Sequence, residues 1–410
     1  MRVLISGASI AGPVLAFWLA RSGADVTVVE RAPAMRKAGG HAVDLFRPAM
    51  EISERMGVLP GIMAHATGTT LLTVHRPWSS RPARIDYLKL VGAVSDRRVE
   101  IMRDDLSEIY HDATRDDVEF RFGDQITEIT DDGDVSFRHG PTQRFDVVVG
   151  ADGLHSGVRR LVFGDDVTEH FLGGYLSVLS VPKSFARKGE MTGYFEPRRV
   201  AMVYTADHLE DARAAFLFRP QRPLDYDHRD GNRQREQLHT AFSGMSAEVD
   251  SWLGEADDTP AFYFDAITQL EMSTWSRGRV TLVGDAGYCP GPAVGGSTTL
   301  AVYGAYVLAG ELARSPGDPA TAYARYEGRM RRPVSGSRTL ARAVAKTVVP
   351  KSRWGVRALV GAGRAISILP LPLTQAVMRL NDKGVRLYDS LPLPDYEKSP
   401  GTVAAPGDST

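Results

Sequence analysis

The segment Gly7-Ala-Ser-Ile-Ala-Gly12 follows an apolar run, Arg2-Val-Leu-Ile-Ser6, and opens a stretch with helical apolar spacing at Ile10, Val14, Leu15, Trp18 and Leu19. A second apolar run, Asp25-Val-Thr-Val-Val-Glu30, begins just past Ser22-Gly23. Strand, glycine turn, helix and strand in direct succession predict a βαβ unit, hence a parallel sheet with a covering helix. The first glycine lets the strand turn sharply into the helix, and the last lets helix and strand pack closely. Ser9 is small enough for the backbone to approach a pyrophosphate at the positive helix N-terminus. Glu30 ends the second strand, where a carboxylate hydrogen-bonds an adenosine ribose, and Arg31 follows it. Gly7, Ser9, Ile10, Ala11, Gly12, Glu30 and Arg31 therefore read as a dinucleotide site. They do not distinguish a flavin dinucleotide from a nicotinamide one.

The rest of the chain predicts an α/β fold of several units. Residues 31–45 read as a loop around Gly39-Gly40, 48–57 as a helix, and the following stretch to about 100 as a hairpin insert. A helix opens near Arg103. Strands at 117–122, 126–130 and 134–138 lead to Phe145-Asp-Val-Val-Val-Gly150, an apolar run that suits a parallel strand buried on both faces. From about 170 the texture changes. Segments 174–181, 192–204 and 213–219 are strand-like and rich in Tyr, Phe and Val, with one helix over about 233–253, which predicts an antiparallel sheet. A buried strand returns at 279–284, then a Gly/Pro loop and a helix over about 296–314. The expected division is a discontinuous, Rossmann-like cofactor domain (1–170 with the hairpin insert, and 275–330) and a substrate domain (171–274). A helical C-terminal segment (331–396, broken at Pro350 and Pro370) and a disordered tail (397–410) complete it.

Two further motifs follow buried strands: Gly150-Ala-Asp152-Gly153 with Ser156 and Arg159, and Gly284-Asp285 with the loop to Pro292, Gly295 and Gly296. With the opening turn, at this order and distance, the chain resembles the para-hydroxybenzoate-hydroxylase-like, single-component FAD monooxygenases over roughly residues 1–315. The resemblance implies FAD contacts from Arg103, Asp152, Gly153, Gly284, Asp285, Pro292, Gly295 and Gly296. It also implies NADPH or NADH as a visiting co-substrate, since no second nucleotide turn with a preceding strand occurs. The loop Arg36-Lys-Ala-Gly39-Gly40-His41 to Asp44 is similar to that of tetracycline-inactivating members. By that likeness Arg36 contacts the cofactor and Asp44 faces flavin and substrate. The sequence departs from the family at Tyr288, where His is usual, and at Ser297-Thr298-Thr299, where Gly-x-Asn is common.

The expected chemistry is NAD(P)H- and O₂-dependent hydroxylation or epoxidation of an electron-rich aromatic, polyketide or other natural product through a C4a-hydroperoxyflavin. The alternatives are a reductase or dehydrogenase on the same scaffold and a non-catalytic flavoprotein that binds a drug-like ligand. His41, Asp44 and Tyr288 are the candidate catalytic side chains. Tyr175, Tyr194, Tyr204, Phe216 and Phe218 are the candidate substrate contacts. A net charge of −1 gives no field to recruit nucleic acid, and the single cysteine, Cys289, excludes an intrachain disulfide. No paired metal-ligand spacing occurs, and no apolar run reaches the length of a membrane span. The chain therefore reads as a cytoplasmic monomer or homodimer acting on a small molecule. The basic stretch Arg338 to Arg364 reads as a helix packed on the body of the protein with solvated arginines, or alternatively as a surface for membrane or an acidic carrier.

Overall fold

A computed structural model describes residues 1–35, 40–92, 95, 97–225, 227–292, 296–370 and 387–396. Arg36, Gly39 and Gly295, and the tail 397–410, lie outside the described residues.

The opening run forms strand Arg2–Ser6, helix Ala11–Arg21 and strand Asp25–Glu30. The two strands pair in parallel, with Leu4 opposite Thr27. Strand Val147–Gly150, buried at every position, pairs in parallel on the other side of Arg2–Ser6, and Val280–Leu282 lies beyond it. Glu119–Phe122 and Ser276–Arg277 complete a six-stranded sheet. The close packing at the turn is visible as hydrogen bonds from Gly7 N to Val29 O (2.8 Å) and from Ala151 N to Ser6 O (2.8 Å). Gly7 has φ +111°, and a Cβ at Gly12 would lie 1.9 Å from the Gly7 carbonyl oxygen. Both positions therefore demand glycine. Strands Ile126–Ile129, Asp134–Phe137 and Gln143–Arg144 form a separate small sheet.

A second sheet has seven strands, ordered Phe262–Glu271, Thr168–Pro182, Asp211–Phe218, Arg199–Tyr204, Glu190–Glu196, Leu71–Arg76 and Ser79–Asp86. It is antiparallel except where Glu190–Glu196 pairs in parallel with Leu71–Arg76. The hairpin insert thus extends this sheet rather than belonging to the cofactor domain. Its pairing partner is remote in sequence, so no local pattern reveals the union. The expected strand 192–204 is a hairpin that turns at Arg198, whose φ is +70°. The expected helix 233–253 is two helices, Gly231–Phe242 and Ala247–Gly254. Gly244 at φ +74° ends the first, and the Ser246 hydroxyl caps the second by accepting from Val249 N. The expected loop 31–45 ends in strand Ala42–Phe46, which pairs antiparallel with Arg98–Met102 and buries Val43 and Leu45.

One face of the seven-stranded sheet packs Leu72, Val74, Ile85, Leu176 and Val200 against the long helices Pro319–Val348 and Arg353–Ile368. The other packs Tyr175, Phe216 and Phe218 against the pair 231–254. The basic C-terminal helices therefore lie on the seven-stranded sheet through Ala341, Ala345, Val356 and Val360, and no described helix is long and apolar enough to cross a membrane. Residues 387–396 return over helix Ser297–Arg314, with Tyr303 and Tyr306 donating to the Pro392 and Pro394 carbonyls.

Helix Ser297–Arg314 is held close to the first sheet at Gly304, where a Cβ would meet the Tyr288 hydroxyl at 2.0 Å. Gly304→Ala is expected to lower stability by about 1–3 kcal/mol through overpacking. Tyr288→Phe in the same chain should recover part of that loss, because it removes the obstructing atom. Thermal unfolding of the two variants checks this.

Candidate functional site

The three motifs meet in a cleft between the two sheets. At the opening turn, Glu30 reaches back so that its carboxylate accepts from Ala8 N (3.0 Å) and Ala32 N (2.8 Å). The Ser9 hydroxyl contacts the Ser107 hydroxyl (3.1 Å) and accepts from Arg103 Nη2 (3.3 Å). Among the described residues Arg103 has no carboxylate within ion-pair distance. It is a cation in the cleft whose field acts on His41, Asp104 and Asp285. Five helices are closed by a Ser or Asp side chain, at Ser156, Asp230, Ser246, Asp318 and Ser352. Among the described residues the helices that begin at Ala11, Arg103 and Ser297 on the cleft have no side-chain cap, as is also true of those that begin at Arg47, Leu59 and Asp285. Their first N–H groups and positive dipole ends are left for another acceptor.

The downstream motifs are joined from behind. The Asp152 carboxylate accepts from Ser156 Oγ (2.5 Å), Gly157 N (2.7 Å) and Val158 N (3.2 Å). It holds its own turn and the start of helix Gly157–Phe163. Gly153 beside it adopts φ +80°. Arg159, 3% exposed, donates to the carbonyls of Leu154 (2.6 Å) and Ala286 (2.8 Å) and so fastens this motif to the Gly284-Asp285 turn. Gly284 has φ +67°, and its missing Cβ lets the turn pack on Ala11 and Ala301. Burial pushes the Asp285 pKa up, while Arg103 opposes the shift. Pro292 is buried in the loop that follows.

Tyr288 turns out to be a core residue. Its ring packs on Trp275 (4.9 Å between centroids) and its hydroxyl bonds Tyr326 (3.1 Å), so the substitution of Tyr for the usual His serves packing here rather than proton transfer. His41 does border the cleft, 5.9 Å from the ring of Tyr263. Burial and the neighbouring Arg103 lower its pKa to about 4. Asp44 is paired with Arg98 (2.5 Å), which also holds Glu100 (3.1 Å), and burial raises the Asp44 pKa to about 6.

Of the five aromatic residues expected to meet substrate, only Tyr204 is on the face toward the cleft, where its hydroxyl accepts from Ala42 N (3.0 Å). Tyr175, Phe216 and Phe218 are in the outer core under the helix pair, and Tyr194 also points outward. Strand residues alternate faces, so a shift of one position exchanges cleft for outer core. The cleft face instead presents Tyr263, Asp265 and Arg213, three residues that the sequence reading missed. Asp265 bonds His155 (2.8 Å), and Arg213 donates to the Gly40 carbonyl (3.2 Å) and pairs with Asp211 (2.5 Å). The parity of strands 211–218 and 262–271 was the available signal.

One end of the cleft is closed from the C-terminal side. Gly296, at φ +64°, precedes the uncapped helix, and Tyr388 lies so close that a Cβ there would be 2.7 Å from its ring. Tyr388 stacks on Phe46 (5.2 Å, 6° between planes), and its hydroxyl donates to Ser337 Oγ (2.9 Å). The Thr299 hydroxyl bridges the same region, accepting from Phe46 N (2.9 Å) and donating to Asp44 O (3.3 Å).

Two predictions follow from these contacts. Tyr388→Ala is expected to cost about 3–5 kcal/mol. Tyr388→Phe, which loses one hydrogen bond, should cost about 1 kcal/mol in the same thermal or denaturant unfolding assay. His41 and Asp44 titrate with opposite sign. With its pKa lowered from 6.5 to about 4, His41 is protonated first in the unfolded chain, so stability falls as pH drops through that window. With its pKa raised from 3.8 to about 6, Asp44 is protonated first in the folded chain, so its contribution falls as pH rises through that window. Urea midpoints of the ligand-free chain between about pH 4 and pH 7 should therefore fall less on the acid side in His41→Gln and more in Asp44→Asn.

Comparison with known proteins agrees with the geometry. Residues 1–322 match the family described as FAD binding domain. An uncharacterised protein of Mycobacterium tuberculosis is 40% identical over 333 residues, covering 79% of this chain and 88% of that protein. A flavin-dependent monooxygenase of Legionella longbeachae is 34% identical over 339 residues, covering 81% of this chain and 85% of that protein. Among solved structures, the tetracycline destructase Tet(51) superposes with a TM-score of 0.81 at 30% identity, covering 96% of this chain and 99% of that one. A turn shaped for a dinucleotide, uncapped helix ends and an arginine without a carboxylate partner thus coincide with these relatives, and the chain belongs to the FAD binding domain family as one of its flavin-dependent monooxygenases.

Proposed function

We propose that the chain uses FAD, reduced by NADPH or NADH, to insert one atom of O₂ into an electron-rich small molecule of the aromatic or polyketide class. The observation that carries this reading is Arg103 in the cleft, beside Ser9 and the uncapped start of helix Ala11–Arg21, with no carboxylate partner among the described residues. A pyrophosphate supplies the negative charge that this corner lacks. Glu30 would hold the adenosine ribose, with Arg31 next to it. Asp285 would take the ribityl side, and the helix that starts after Gly296 would direct its N–H groups at the pyrimidine edge of the ring.

When bound, the flavin supplies hydride acceptance from a nicotinamide and the activation of O₂. The protein groups then have simple tasks. Tyr263, Tyr204 and Arg213 line the substrate side of the cleft and orient the acceptor. His41 stays neutral at physiological pH and offers a hydrogen bond without a charge. Asp44 is engaged by Arg98, so its place is in substrate or cofactor positioning rather than as a free base. The polyketide assignment draws on the likeness to tetracycline destructases.

The test uses ¹⁸O₂ with NADPH and a panel of hydroxylated aromatic and tetracyclic substrates. One labelled oxygen atom in the product, with matching consumption of O₂ and NADPH, is expected. Substrate reduction without label would assign the chain to the reductases. Glu30→Ala should weaken FAD binding about tenfold or more, read by flavin fluorescence, because a charged hydrogen-bond acceptor is lost.

A further inference from the structure

The outer face of the seven-stranded sheet carries a second concave site, separated from the cofactor cleft by the sheet itself. It is a groove of about 520 Å³ between strands 71–76, 79–86 and 190–196, the turn at Ser184 and Phe185, and helix Ala247–Gly254. Small-molecule sites usually fall between about 300 and 1,000 Å³. Its floor is set by strand register. Arg84 is opposite Thr73, and Thr73 is opposite Thr192, so a guanidinium and two hydroxyls form one row. In the next row His75 is opposite Tyr194, and their rings stack at 4.8 Å with 15° between planes. Trp252 meets Tyr194 edge-on at 5.5 Å, which completes an aromatic wall.

The polar groups of this groove are incompletely used. Thr73 borders the groove and is 7% exposed, and its hydroxyl, closed off from solvent in the ligand-free chain, has no hydrogen-bond partner among the described residues. A buried hydroxyl without a partner is uncommon and costly. Arg84 has no ion-pair partner among the described residues, and Arg187 reaches Glu190 only at 3.9 Å. A backbone N–H and the neighbouring Ser246 and Tyr194 hydroxyls lower the Glu248 pKa. Two guanidiniums and two carboxylates leave the groove without net charge, so neither a simple anion nor a simple cation complements it. A molecule with one charge of each sign and a planar ring does.

We propose that this groove binds a zwitterionic aromatic molecule of the amino-acid class. Its carboxylate meets Arg84 and the Thr73 hydroxyl, its ammonium group meets Glu190, and its ring packs on the Tyr194, His75 and Trp252 wall.

Calorimetric titration of the FAD-loaded full chain with L-tryptophan and with L-phenylalanine tests this. Saturable one-site binding of at least one of them is expected. For L-tryptophan, tryptamine and indole-3-propionate should each bind at least about tenfold more weakly, since each lacks one of the two charges. Arg84→Leu should weaken the amino acid about tenfold or more and Thr73→Val about fivefold, with flavin content unchanged. Absence of saturable binding for both amino acids up to millimolar concentration overturns the proposal. Equal binding by the single-charge analogues, or undiminished binding in Arg84→Leu, overturns it as well. If a variant loses its flavin, the comparison of analogues on the unaltered chain still decides. The site is independent of the cofactor cleft, so neither result depends on the monooxygenase reading.

Discussion

The cofactor cleft depends on one buried cation. Arg159 extends from helix Gly157–Phe163, and its guanidinium bonds the Leu154 carbonyl behind one glycine turn and the Ala286 carbonyl behind the other. Taking a guanidinium out of water is expensive, and burial lowers its pKa. Two charge-assisted bonds to carbonyls offset part of that cost, and the nearby Asp152 and Glu169 carboxylates add favourable charge. The result is a fixed distance between two turns that are far apart in sequence. Asp285, Gly284 and the helix after Gly296 can then face the opening turn with little freedom to drift. Arg159 thus sets the geometry of two turns from behind, without itself facing the cleft.

The local half of the architecture was legible in the residues. Alternation of apolar runs and glycine turns placed the first βαβ unit, the strand at 147–150 and the helix at 297–314, because each is decided by neighbours within a few positions. The long-range half was not. The union of Leu71–Arg76 with Glu190–Glu196 depends on two segments meeting across the chain, and neither carries a mark of the other. The surroundings of side chains were less legible than their positions. The Asp152 carboxylate accepts from three donors in its own turn. Tyr288 stands at a family position but points into the core, because Gly304 leaves room only for that ring.

The seven-stranded sheet separates two environments with one set of strands. On one face Tyr204, Arg213, Tyr263 and Asp265 stand beside an apolar patch that packs on the C-terminal helices. Its outer face carries the dense aromatic core under the helix pair. That division puts most of the aromatic residues behind the sheet, where the rings stiffen it. Rigid strands then hold the few polar groups that address the cleft.

Tyr388 gives the molecule an order of assembly. The back wall of the cleft, where Phe46 and Gly296 meet, is completed by a ring that leaves the ribosome long after every other wall has been made. A nascent chain can fold its first sheet and present the dinucleotide turn while the far end of the groove is still open.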